Sequence, residues 1–352
     1  MKRYRELYRA ERLPVFQNRM FHSEEEAKNC AKGDVVLVRD LETGLTFNQA
    51  FKPELMHYDA DYQNEQALSA AFRRHLQNVL KIILKHFQDS SLIEVGCGKG
   101  YFLEQLQVMG FKITGLDPAY EGSNPSVIKE YFRPEIGLRA DGIILRHVLE
   151  HVQDPVGFLS TVREANGGGG KIYIEVPCFD WICDHRAWFD IFYEHVNYFR
   201  LSDFHRMFGV VHEAGHTFNG QYLYVVADLA TIRVPECNET DLINLPEGFL
   251  DTVSVYAAEL GTGENKSAIW GGASKGVLFS LFMQRAGAKV NVVIDINPAK
   301  QGKYLAATGL RVWSPGEATS RLPSGAKVFV MNSNYLDEVR ELTADQFNYL
   351  LV

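Results

Sequence analysis

The sequence predicts an α/β fold, an open parallel sheet flanked by helices followed by a second, smaller unit of the same kind. Three observations point there. Short apolar runs alternate with amphipathic helical stretches from residue 91 to about residue 232. Two apolar runs, one in that stretch and one beyond it, lead directly into glycine-rich turns that open helices, at residues 96–100 and 271–276. The alternation resumes after a linker at about 234–248 that contains Pro235 and Pro246.

Taken in order, residues 1 to about 62 hold no long periodic segment. Short strands are expected at 34–39 and 45–48, around the turn Glu42-Thr43-Gly44, which makes a small β unit. A helix then runs from about Ala67 to Phe87, with Leu68, Phe72, Leu76, Leu80 and Ile83 at helical spacing. Residues 92–95 form a buried strand, and Gly96, Gly98 and Gly100 turn it into a helix bearing Phe102, Leu103 and Leu106 on one face. Glycine is needed there because a Cβ would hold the backbone away from a ligand. The spacing is G-x-G-x-G, whereas a dinucleotide fingerprint has G-x-G-x-x-G, its third glycine placed for helix–strand packing. Glu94 precedes the turn. A second strand, 112–116, ends in Asp117, a carboxylate suited to a ribose diol.

The next apolar run, 142–145, follows closely, so one helix of the usual pair is expected to shrink to a loop near 122–125, beside a short third strand at 127–131. The fourth strand leads to Arg146 and His147. Helix 155–165, a glycine turn at 166–170 and strand 171–177 follow, and a hairpin over 210–218 and 222–229 closes the sheet. His147-Val148-Leu149-Glu150-His151 spells H-x-x-E-H, a zinc-protease pattern. Such a site needs a helix that puts both imidazoles on one face, and here the first histidine directly follows a strand.

Between the fifth strand and the hairpin, residues 178–206 form an insertion rich in reactive side chains, among them Asp184, His185, Trp188, Asp190, Tyr193, Glu194, His195, Asn197 and Tyr198. Ligands of open α/β sheets bind outside the carboxyl ends of the strands, which is where this insertion stands. Histidine is the default base near neutral pH. After the linker come helix 250–260, strand 267–270, the second glycine turn, helix 277–284, strands 291–295 and 326–331, and helix 335–342. That turn is not a P-loop, since G-x-x-x-x-G-K-[ST] is absent. Its helix-start N–H groups, with Ser274 and Lys275, can receive a substrate phosphate or can simply pack two units together.

Composition excludes several classes. With 46% hydrophobic and 23% charged residues the chain is ordinarily globular. No apolar run reaches the roughly 18 residues of a membrane span, and the charged start Met1-Lys2-Arg3 has no apolar stretch behind it. Five scattered cysteines, an odd number, suit free thiols in a reducing cytoplasm. A net charge of −8 argues against nucleic acid and for a small-molecule substrate.

The run from Leu92 to Gly100, with Asp117, resembles motif I and the acidic motif of class I S-adenosylmethionine (SAM)-dependent methyltransferases. The resemblance implies a Rossmann-like core that binds SAM through Glu94, Gly96, Cys97, Gly98, Gly100, Asp117 and Pro118, with Arg146 and His147 edging the pocket. Within that class the chain resembles the three-domain sugar C-methyltransferases of branched deoxysugars, most clearly over 91–205 and 267–335. This implies a degenerate zinc-binding N-terminal domain (1–66), a SAM-binding core (67–233) and a second, smaller Rossmann-like C-terminal domain (234–352). The segment before the first helix would close over SAM, making Tyr62, Asn64 and Gln66 contacts. Residues 40–44 stand where the family has a C-x-x-C-G zinc knuckle. Of any ligand set only Cys30 remains, so no metal is expected.

Residues 190–199 resemble the family's D-x-I-Y-H-E-H-x-x-Y-F segment, whose last histidine is its base. Carried over, the base is His195, with Glu194 beside it and Tyr193 at the family's first histidine, while the family's catalytic tyrosine falls on Phe192. His185, Asn197, Tyr198, Ser274 and Lys275 become expected substrate contacts. The implied activity is cytoplasmic, SAM-dependent methylation of a nucleotide-linked sugar carbon. O-methylation of a sugar or other metabolite, a SAM-binding scaffold without catalysis, and a nicotinamide oxidoreductase remain alternatives.

Overall fold

A seven-stranded sheet organises the computed structural model, which describes residues 3–56, 62–63, 65–261 and 267–352. Its strands are β1 (Ser91–Val95), β2 (Lys112–Leu116), β3 (Val127–Ile128), β4 (Gly142–Arg146), β5 (Lys171–Pro177), β6 (Val211–Thr217) and β7 (Tyr222–Asp228). They lie in the order β6-β7-β5-β4-β1-β2-β3. β1 to β5 are parallel, and β7 runs antiparallel between β6 and β5. Parallel strands are covered on both faces and so read as continuous apolar runs. Ile143, Ile144 and Leu145 of β4 are all fully buried.

One face is covered by α1 (Ala70–Phe87) and α2 (Tyr101–Val108), through Leu76, Val79, Ile83, Leu103 and Leu106. The other face takes Leu159 and Val162 of α3 (Pro155–Ala165), with Phe204 and Met207 from the helix Leu201–Met207. α1 starts at residue 70, three later than the spacing predicts, because the Ser69 hydroxyl accepts the Phe72 N–H and caps it.

At the far end of α1, Glu213 on β6 accepts from Lys85 (2.6 Å) and from the Tyr224 hydroxyl (2.8 Å), with His86 Nε2 at 2.5 Å. These partners, Lys85 foremost, lower its carboxyl from 4.5 to about 2. A carboxylate depressed in the folded state stabilises above its unfolded value and loses that contribution as pH falls through the folded one. Glu213→Gln is therefore expected to cost about 1–2 kcal/mol at pH 7, after allowance for solvent screening. In denaturant melts the gap from wild type should shrink between pH 4.5 and about 2.

The amino-terminal sheet differs from the sequence expectation. Its longest strand, Tyr4–Pro14, was not predicted: register shifts between Glu6 and Tyr8 and between Ala10 and Leu13 break the two-residue alternation. It pairs with Lys32–Asp40, which pairs with Thr46–Asn48. The fourth strand, Asn197–Tyr198, comes from the insertion.

A third sheet is wholly parallel. Its strands, in order, are Val312–Trp313, Val292–Ile294, Ser267–Trp270, Lys327–Val330 and Asn348–Leu351. The three central strands were expected. The two edge strands and helix Pro315–Arg321 were not, being short segments without a long apolar run. Helix α4 (Ser274–Arg285) begins three residues before the predicted position. A single apolar cluster joins Leu13 and Val35 of the first sheet, Trp188 and Phe192 of the insertion, and Phe279 and Phe329 of the third unit. Polar clasps add to it. Gln221 and Asn332 exchange side-chain amide hydrogen bonds of 2.9 and 2.8 Å, both buried. Glu338 accepts from the Ser69 hydroxyl (2.5 Å) and from the Ala70 and Ala71 N–H groups at the start of α1 (3.1 and 3.0 Å), where a carboxylate meets the positive end of the helix dipole.

Candidate active site

The turn after β1 has the expected form. Gly96, Gly98 and Gly100 all have left-handed backbone, with φ of 74°, 55° and 83°. A Cβ on Gly96 would lie 2.4 Å from Val148 Cγ2, so close approach of the β4 loop requires that glycine. Gly98 needs only the backbone freedom. A Cβ there would meet nothing within 4 Å, and this face of the turn is bare. The Asp117 carboxylate faces the turn: Oδ2 accepts the Gly98 N–H and Oδ1 the Ala119 N–H, both at 2.8 Å.

Glu94 is 3% exposed, and its Oε2 has no hydrogen-bond partner among the described residues. Burial, only partly offset by Arg146, pushes its carboxyl up to about 8, so it is a proton donor at neutral pH. A bare glycine turn, a carboxylate across it and an unpartnered buried carboxyl that can donate fit a polar ligand that carries a ribose. Lys99 of the turn reaches Gln63 Oε1 at 3.5 Å, joining the turn to the segment before α1.

Beyond the carboxyl ends of β4 and β5 lies a cavity of about 280 Å³, enclosed by the insertion and the third sheet. Tyr62, Gln66, His147, Glu194, His195, Ser274 and Lys275 all line it, as do Glu150, His151 and Asp190, which the sequence reading assigned no role. His195 has its ring centre 4.0 Å from that of Phe192 and 5.0 Å from that of His151. Burial, reinforced by neighbouring His151, His147 and Lys275, holds its imidazole well below the usual value, hence neutral. Burial likewise raises Glu194 to about 8, against the Gln17 backbone and the Tyr62 hydroxyl. Lys275 Nζ makes a 2.7 Å ion pair with Asp190 Oδ2 and lies 4.9 Å from the Trp181 ring centre.

His147 has a left-handed backbone, φ 54°, uncommon outside glycine. Its ring lies 3.3 Å from Glu150 Oε1 and 3.1 Å from Glu175 Oε1. Burial alone would lower its pKa, but these two carboxylates outweigh burial and raise it to about 9.

Several expected site residues lie elsewhere. Tyr193 is fully buried, and its hydroxyl accepts the Lys52 N–H at 2.8 Å, away from the cavity lining. Residues 193 and 194 sit in a turn, and of the two only Glu194 reaches the cavity lining. Asn197 donates to the Val152 carbonyl, and the Tyr198 hydroxyl is held by the Phe192 backbone, so both brace the insertion instead of facing substrate. His185 is exposed and stacks on Trp181. Arg146 turns into the sheet, bonding Glu175 at 3.1 Å with its guanidinium over the Phe102 ring. Cys97, by contrast, stays within the glycine turn with its side chain buried, and Pro118, exposed, stays beside Asp117. Asn64 lies outside the described residues.

A buried hub lies behind these residues, on β5. Glu175 is fully buried on β5 and takes Arg146, His147, His75 Nε2 (3.2 Å) and the Tyr173 hydroxyl (2.8 Å). Burial opposes its charge, yet these partners hold it well below the usual carboxylate range. A lone acid in the apolar run Lys171–Pro177 was the one available signal.

Residues 64–216 match the family model described as "Methyltransferase domain". Among curated relatives, a "Ubiquinone biosynthesis O-methyltransferase" of Methylobacterium sp. (strain 4-46) is 32% identical over 24% of this chain and 39% of its own length. The protein of the same description from Pseudoalteromonas translucida is 30% identical over 24% of this chain and 42% of its own. A "tRNA U34 carboxymethyltransferase" of Campylobacter hominis is 26% identical over 28% and 41%. The chain thus spans about two fifths of the length of the curated relatives it matches. Among the described residues no helix is long and apolar enough to cross a membrane. Strand order, glycine turn and family match together make residues 64–216 a class I methyltransferase domain, with S-adenosylmethionine as its cofactor.

Proposed function

We propose that the protein transfers a methyl group from SAM to a small-molecule acceptor held in the cavity, a nucleotide-linked sugar first among candidates, with activation centred on His195. The observation that carries this reading is the cavity itself. It adjoins the β4 loop, whose Val148 covers Gly96, and it carries a neutral imidazole and an ammonium group on one lining.

SAM supplies an electrophilic methyl group. The chain's own tasks are therefore to align the acceptor and to make it nucleophilic. Glu94, Gly98 and Asp117 are the groups that would hold the cofactor. Neutral His195 can accept a proton from a hydroxyl or from a carbon beside a carbonyl. Lys275 and Ser274, the latter 3.4 Å from Asn18 Nδ2, offer a cation and a hydroxyl to a phosphate. The net charge of −8 weighs against an RNA acceptor. The ubiquinone-type relatives favour a second reading, O-methylation of a small hydroxylated compound.

The test is a screen of nucleotide-sugars and hydroxylated ring compounds with methyl-labelled SAM, reading which atom gains label. SAM binding without transfer to any acceptor favours the scaffold, and tight NADH binding without SAM binding overturns the reading. In the same assay Asp117→Ala is expected to weaken SAM binding about tenfold or more, roughly the worth of one to two charge-assisted hydrogen bonds. Unchanged affinity by calorimetry would remove Asp117 from the cofactor site.

A further inference from the structure

We propose that Glu150, His151 and His195 bind a divalent transition-metal cation, Zn2+ or a close relative, in the cavity wall. One ligand atom from each lies within 4.8 Å of the others. This is not the protease arrangement that H-x-x-E-H spells. His147 leaves a strand, residues 149–151 form a single 3-10 turn, and the third ligand comes from the insertion.

A second observation points to a ligand independently. Glu150 is 1% exposed, and neither carboxylate oxygen has an aligned hydrogen-bond partner among the described residues; Oε1 has His147 Nδ1 at 3.3 Å. A buried carboxylate is costly unless it is hydrogen-bonded, paired or coordinated.

The donors are also fixed in place. The His151 Nδ1–H donates to the Glu194 carbonyl at 2.8 Å, which leaves Nε2 with its lone pair. A hydrogen bond from the far ring nitrogen to a carbonyl orients a metal-bound imidazole. The Val196 N–H donates to the Glu150 carbonyl at 2.7 Å, so the backbones of 150–151 and 194–196 are tied on either side of the cluster. Two imidazoles and one carboxylate suit Zn2+, Fe2+, Co2+ or Ni2+ better than Mg2+, which prefers oxygen ligands. Three protein ligands leave positions open for an acceptor oxygen. Only this last role rests on the methyltransferase reading; binding of the cation does not.

The test is titration of the chelator-stripped full chain with Zn2+ by calorimetry and with Co2+ by visible absorption, without SAM or acceptor. One saturable equivalent is expected, with no thiolate charge-transfer band. Glu150→Gln and His151→Ala should each weaken it about 10–100-fold while SAM binding persists. No saturable binding by the wild type, an unchanged affinity in both variants, a thiolate spectrum, or preference for Mg2+ over Zn2+ overturns the proposal. If Zn2+ binds as expected but no acceptor is ever methylated, the functional reading fails and the metal site stands.

Discussion

His195→Ala is expected to lower turnover by about 10²–10⁴-fold, the range for loss of a positioned acid–base group, with SAM affinity near wild type. The imidazole lines the cavity, packs on Phe192, and is kept neutral by burial and nearby cations. A binding scaffold would show no such split between affinity and turnover. Glu150→Gln then separates two ways in which His195 can act. Wild-type turnover in that variant means the imidazole takes the proton unaided. A fall that tracks loss of bound cation means it serves as a ligand. Equal turnover in His195→Ala and wild type would discard the assignment.

Glu175→Gln is expected to have the largest effect on stability. The carboxylate is fully buried among Arg146, His147, His75 and Tyr173. Replacing it with an amide leaves the buried guanidinium without its counter-charge, a change that typically costs about 3–5 kcal/mol. For a chain of this size unfolding as one unit, that lowers the melting temperature by roughly 4–7 °C. Tyr173→Phe removes one neutral donor to the same carboxylate and is expected to cost about 1 kcal/mol. Calorimetric melts of both variants check the ordering. A Glu175→Gln melt within a degree of wild type would mean the network contributes little.

The contrast between these two residues shows what the sequence makes legible. The cofactor turn is local: three left-handed glycines within five residues, with an acid at the end of the next strand, state their geometry in their spacing. The central sheet was equally readable, since its buried strands are continuous apolar runs separated by turns and amphipathic stretches. Glu175 was not, because its meaning depends on His75, 100 residues earlier and on another element. Glu150 and His151 sat inside a recognisable motif, yet their partner His195 reaches them only through the path of the insertion. Tyr193, Asn197 and Tyr198 show the converse. Their types suit chemistry, but the insertion uses them as braces. The long amino-terminal strand escaped because its irregular pairing hides the period.

The pairing of Asn197–Tyr198 with Thr46–Asn48 divides labour along the chain. In the proposed reading the methyl donor is held by residues near 94–117, whereas the loop bearing His195 is moored to an outlying sheet built mainly from the first fifty residues. Loosening that mooring would leave an enzyme still able to load its donor and unable to spend it. Lesions in the amino-terminal sheet should therefore mimic active-site lesions while sparing the donor's grip.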